Sequence, residues 1–263
     1  MSYTFKYTVM LYLIISIATL LTGCNKIGDE DPKITSGKNI RDAKRPIGAS
    51  AREILSSSLF ESIEVELQYM KGFEPTPELV DNIKLFLEEL INKPGGIKVF
   101  LSSIEPLKKA TYTLQDIREI EDTHRNAYNA GKKLGVYILF LDGYSSEDNN
   151  NSTTFALVHR NSSVAMFAKR IRERSDRIGH PPRSLLENTV ARHELGHLMG
   201  LVNVGSGMQH THEDPNHAGH CDSRDCLMFW AVESGSIFNL VQEGRIPTLD
   251  VNCRKDLKAN GGI

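Results

Sequence analysis

"RHELGHLMGLVN", residues 192–203, holds the densest chemistry in the chain. His193 and His197 are four apart, so on a helix their rings leave one face a turn apart and can share a metal ion. Glu194 is turned about a third of a revolution from His193. There a carboxylate can reach a metal-bound water without ligating the metal, which is the place of a general base. Gly200 is a natural helix stop. Upstream, Pro181 and Pro182 block any earlier helix, and Ser184 with Glu187 has capping-box spacing. Leu185, Leu186, Val190, Leu198 and Met199 supply an apolar face. The expected active-site helix runs over 184–200.

A catalytic zinc takes three protein ligands and leaves one position open. Asn203, one helical repeat beyond His197, is a poor candidate because its amide oxygen is neutral and hard. The following stretch, "MQHTHEDPNHAGHCDSRDCLM" (208–228), offers His210, His212, His217 and His220, with Glu213 and Asp214 between them. His212 stands beside both acids, either of which can orient an imidazole ring from behind.

Outward from the motif, the sequence alternates strand and helix patterns. "FESIEVELQYM" (60–70) alternates like a half-buried strand, and "IKVFLSS" (97–103) is strand-like. "VYILFLDG" (136–143) is apolar enough for a central buried strand, and "TTFALVHR" (153–160) is another strand. Helices are expected over 76–96, with Thr76 as cap and Pro77 in the first turn, and over 113–135. The order β-α-β-α-β-β predicts a mixed α/β fold with helices packed on a sheet.

The chain has 263 residues, a net charge of −2 and 40% hydrophobic residues, enough for one globular domain. Nothing in the charge points to nucleic acid. At the N-terminus, Lys6 precedes the apolar run "YTVMLYLIISIATLL", which has the length of a secretory signal rather than a membrane span. Residues 1–23 are therefore expected to be a signal peptide. The polar stretch 24–47 reads as a flexible tether, and 48–263 as the folded domain.

Two resemblances add to this. Leu21-Thr22-Gly23-Cys24 looks like a bacterial lipobox, which implies lipid on Cys24, anchorage to a membrane and an exported lipoprotein, by resemblance in the outer membrane. "HELGHLMG" followed by "HCDSRDCLM" resembles the archaemetzincins, whose pattern is H-E-x-x-H-x-x-G-x-x-H-C, four residues, Cys, one residue, Met. His193, Glu194, His197 and Gly200 match the first part; His220, Cys221, Cys226 and Met228 match the second with every internal spacing kept. The departure is an insertion of seventeen residues before His220. The arrangement is also similar to exported metzincin-like metalloproteases of Bacteroidetes-type bacteria. The matched stretch covers only 184–230.

The resemblance implies a metzincin-like fold, with an N-terminal subdomain over 48–200 and a small irregular C-terminal subdomain over 201–263. It implies a zinc-dependent peptidase acting on peptide or protein substrates, with Glu194 as catalytic base. His193, His197 and His220 would be its zinc ligands, with His212 the alternative third ligand, and Met228 the Met-turn residue beneath the metal. Archaemetzincins also hold a second, structural zinc through a Cys set. The second Cys-x-x-Cys pair is missing here, so one catalytic zinc is expected. For an exported protein, a disulfide among Cys221, Cys226 and Cys253 is the simpler expectation. Two other functions stay open: a non-catalytic lipoprotein binding zinc through its His-rich loop, and a gluzincin-type hydrolase using Glu213 or Glu233 as third ligand.

Overall fold

The structure is a computed structural model that describes residues 39–149, 153–232 and 244–263. The signal and lipidation residues 1–24, most of the expected tether and Glu233 lie outside the described residues. Five strands form the main sheet: β1 (Ser62–Met70), β2 (Ile97–Ile104), β4 (Lys133–Phe140), β6 (Ala156–Arg160) and β7 (Ser163–Met166), in the order β2-β1-β4-β7-β6. The first four in that order pair in parallel, and β6 runs antiparallel to β7 at the edge. A two-stranded parallel pair, β3 (Thr111–Tyr112) and β5 (Tyr144–Ser145), lies apart. The fold is mixed α/β.

Local sequence explains most of this. β4 is buried along almost its whole length, as a parallel strand covered on both faces must be. The helix α2 (Pro77–Leu90) buries Leu79, Ile83, Phe86, Leu87 and Leu90, one stripe at helical spacing against the sheet. The short α1 (Ala51–Leu55) precedes β1. The motif helix α5 (Arg183–Leu198) is buried around nearly all of its circumference. Its polar residues must therefore find partners inside the protein.

Several expectations need correcting. The capping box at Ser184 does not form: Pro182 is the N-cap residue, and Asp176 Oδ1 accepts from the Arg183 N–H at 2.9 Å. Glu187 instead turns inward and accepts from the Thr76 backbone N–H at 2.8 Å, tying α5 to the start of α2. The helix expected over 113–135 ends at His124 as α3 (Leu114–His124), which has its own capping box between Thr113 and Asp116. Arg125 breaks it, because its fully buried guanidinium bonds to Glu121, Ser163 and Ser162 and to the carbonyls of Ala127 and Gly135. A charged residue on what reads as a solvent face thus anchors the chain's return into β4.

Residues 39–47 of the expected tether are bonded to the domain. Asn39 donates its backbone N–H to Asn129 O at 2.9 Å, and Asn161 donates to Asp42 O at 2.8 Å and to Arg45 O at 3.1 Å. Arg45 bonds to Ser50 and pairs with Glu53. Residues 39–47 are part of the domain, held by polar contacts instead of apolar burial, which is why their composition resembles a linker.

His159 on β6 is 2% exposed and lies 3.6 Å from Glu121, with Arg118, Arg125 and Arg160 around it. Burial, reinforced by the three arginines, pushes its pKa down to about 3. In the unfolded chain the imidazole titrates near 6.5. Between those values the unfolded state binds the extra proton, so the stability is complete above about 6.5 and is lost as pH falls toward 3. In urea unfolding at pH 7 and pH 4.5, His159→Gln should lose about 2 kcal/mol less than the unsubstituted chain over that step. An equal loss in both proteins would contradict the assignment.

Candidate metal centre

The α5 turn places His193 and His197 with their Nε2 atoms 3.1 Å apart and ring centroids 4.7 Å apart. The His220 ring lies 5.4 Å from that of His193 and 5.1 Å from that of His197. One ligand nitrogen from each of the three lies within 4.8 Å of the others. Nitrogens on one tetrahedral zinc at about 2.05 Å stand roughly 3.3 Å apart, so the His193–His197 pair already has nearly that separation. The chemistry of the donors fits as well. His193 Nδ1 bonds to Leu227 O at 2.7 Å, and His220 Nδ1 to Ala218 O at 3.2 Å. Facing a carbonyl, Nδ1 carries the proton, which leaves each Nε2 lone pair for a metal. Glu194, next to His193 on α5, is fully buried.

Two glycines let the chain take this shape. A Cβ on Gly196 would stand 2.3 Å from Met228 Sδ, so the sulfur packs directly on the helix backbone between the two histidines. Met228 is itself fully buried. Gly200 has φ +79, closing the helix, and a Cβ there would meet Ser206 N at 2.5 Å. Beyond Leu201 the chain enters the left-handed region again, with Val202 at φ 52 and Asn203 at φ 66. For a β-branched residue that is an outlier, and it starts the insertion. Asn203 is exposed in this turn.

The four histidines of the 208–228 stretch do not form one site. His210 is exposed. His217 stacks on Trp230, His220 joins the α5 pair, and His212 is buried elsewhere. His212 therefore does not stand as an alternative third member of the triad: its Nε2 meets Asp256 Oδ2 at 2.7 Å, and its Nδ1 meets Cys221 Sγ at 3.5 Å. Burial opposes charge on His212, but the Asp256 and Cys221 hydrogen bonds outweigh it and raise its pKa. Glu213 is also spoken for, since Oε1 accepts the Gly219 N–H at 2.7 Å.

Around His212 lies a second cluster. Ligand atoms of His212, Cys221, Asp250 and Cys253 all fall within 4.8 Å of one another, and Cys226 Sγ is 3.6 Å from Cys253 Sγ. The three cysteines are free thiols, so the disulfide expected among them is not present. Hydrogen bonds from Cys221 and Cys253 pull the Cys226 thiol down to about 4, while the Cys253 thiol is pushed up by bonding to the same two sulfurs. Three sulfurs and one imidazole packed together form a soft donor set. No local pattern links His212 to the cysteines, because it stands nine residues before Cys221 and belongs to the insertion.

No family model matches the chain, and no curated protein matches it. Solved structures do. The crystal structure of archaemetzincin from Methanopyrus kandleri superposes with a TM-score of 0.48 at 17% identity, covering 76% of this chain and 96% of that one. A zinc-dependent peptidase from Methanocorpusculum labreanum superposes with a TM-score of 0.45 at 15% identity, covering 73% of this chain and 99% of that one.

Proposed function

We propose that the chain is a zinc-dependent peptidase in which His193, His197 and His220 hold the ion and Glu194 is the general base. The observation that carries this is the convergence of three imidazoles beside a buried carboxylate on one helix. Zinc, when bound, would lower the pKa of a water to about 7 and polarise a carbonyl. The Glu194 carboxylate would take a proton from the attacking water and deliver it to the departing amine nitrogen. Met228 fills the space beneath the helix and keeps water out from that side. A peptide substrate would add along β6, the antiparallel edge strand, which contacts α5.

The second cluster supports a further metal. His212, Cys221, Cys253 and Asp250, with Cys226 beside Cys253, suit a closed structural zinc site, with Asp256 orienting His212 from behind. Two ions per chain are therefore proposed in place of one. A non-catalytic zinc-binding lipoprotein is disfavoured because the His-rich stretch divides between two separate clusters, one of them beside Glu194.

The test is cleavage of a denatured protein substrate. Chelator-treated chain is expected to fall to background and to regain activity with added zinc. Zinc-loaded chain without any cleavage would refute the peptidase reading.

A further inference from the structure

His220 does not lie on α5. It comes from the end of the insertion, and something must fix it opposite two ligands on a buried helix. We propose that Trp230 is the positioning residue for this third ligand, acting through His217. The inference rests on the zinc reading given above.

The segment carrying His220 is a closed turn. Asp214 N–H donates to His220 O at 2.8 Å, His217 N–H to Asp214 O at 3.1 Å, and His220 N–H to His217 O at 3.1 Å. Within it, the Asp214 carboxylate holds Asn216 N–H at 2.9 Å and His217 Nδ1 at 2.8 Å. The His217 ring is thereby oriented, and it lies flat on the Trp230 indole with centroids 4.3 Å apart and planes within 7°. Close parallel stacking of this kind limits both sliding and tilting. The turn is thus clamped to the chain that follows Met228.

That same short segment bonds His193 directly and holds the residues beside His197 and His220. Leu227 O accepts from His193 Nδ1 at 2.7 Å. The Met228 side chain packs under Gly196, between His193 and His197, and Met228 O accepts the Cys221 N–H, next to His220, at 2.8 Å. Trp230 adds the far end of the His220 turn. Residues 227–230 therefore set the relative positions of ligands from two elements far apart in sequence. The stack has a role that the insertion itself creates, since the longer the chain between Gly200 and His220, the less α5 alone can place the third imidazole.

The experiment measures zinc affinity by competition with a chromophoric chelator, using zinc alone as the probe and the full chain. The triad's affinity is defined as the zinc binding that disappears in His220→Ala. Trp230→Ala should weaken it by about 10-fold to 100-fold, the usual cost of removing a residue that orients a ligand from behind. Trp230→Phe, which can still stack, should recover most of that loss. His217→Ala should weaken it similarly, and it guards against Trp230→Ala failing to fold, which circular dichroism would reveal. Trp230 is the single tryptophan of the chain, so its emission should change on zinc binding in the unsubstituted chain and change less in His217→Ala. Unaltered triad affinity in Trp230→Ala and His217→Ala, with zinc still bound by the unsubstituted chain, would overturn this inference alone. No zinc binding by the unsubstituted chain would overturn the zinc reading and this inference together.

Discussion

Glu194→Gln is expected to bind zinc as the unsubstituted chain does and to cleave peptide bonds about 10²-fold to 10⁴-fold more slowly, the usual worth of a positioned general base. The two parts of this result come from different atoms. In the proposed function the catalytic zinc is held by His193, His197 and His220, whose ligand atoms lie within 4.8 Å of one another. Glu194 leaves α5 about 100° from His193, and its assigned task is moving a proton, which the amide of Gln cannot do. The substitution is nearly isosteric, so the fully buried side chain is replaced without opening a cavity. Parallel zinc analysis and steady-state cleavage rates separate the two effects. Loss of zinc would make Glu194 a ligand, and an unchanged rate would remove it from the chemistry.

The second large effect concerns stability. His212→Ala removes the partner of Asp256, which is 1% exposed and lies 2.7 Å from the ring. Leaving a buried carboxylate oxygen without its hydrogen-bond donor costs about 1–3 kcal/mol, and here the change also takes one donor from the cysteine cluster. At about 2–4 °C per kcal/mol for a domain of this size, the melting temperature should drop by roughly 2–12 °C. Chelation gives an independent check. It should lower the melting temperature of the unsubstituted chain, because metal binding contributes folding free energy, and have a smaller effect on His212→Ala. Equal sensitivity to chelator in both would mean that His212 holds no metal. The change should leave the Glu194 chemistry working at temperatures where the variant is folded.

How far the sequence foretold these sites depended on whether their residues are local. Two imidazoles one helical turn apart are a local pattern, so His193, Glu194 and His197 are legible without a fold. The periodicity of α2 and the continuous apolar run of β4 are legible for the same reason. His220 could be singled out only because its spacing to Cys221, Cys226 and Met228 matches a known pattern, despite the insertion. What was not legible depends on contacts between distant segments. Arg125 reads as one more charge on an exposed helix, and only the fold shows it buried against Glu121, Ser162 and Ser163. Residues 39–47 read as a linker because their anchors are backbone bonds to Asn129 and Asn161, and such bonds leave no compositional trace. The second cluster draws on residues 212, 221, 226, 250 and 253. No local spacing rule links a histidine in an insertion to a cysteine on the C-terminal helix Val251–Ala259. The stack of His217 on Trp230 is hidden in the same way.

The proposed third zinc ligand, His220, is delivered from beyond the insertion. Zinc counted per chain by native mass spectrometry, on the unsubstituted chain, His220→Ala and His212→Ala, decides whether it binds. Two ions are expected in the unsubstituted chain and one in each variant, with His220→Ala the variant that loses cleavage at temperatures where both are folded. If His220→Ala keeps all of its zinc and still cleaves, the triad read from the structure is not the catalytic site.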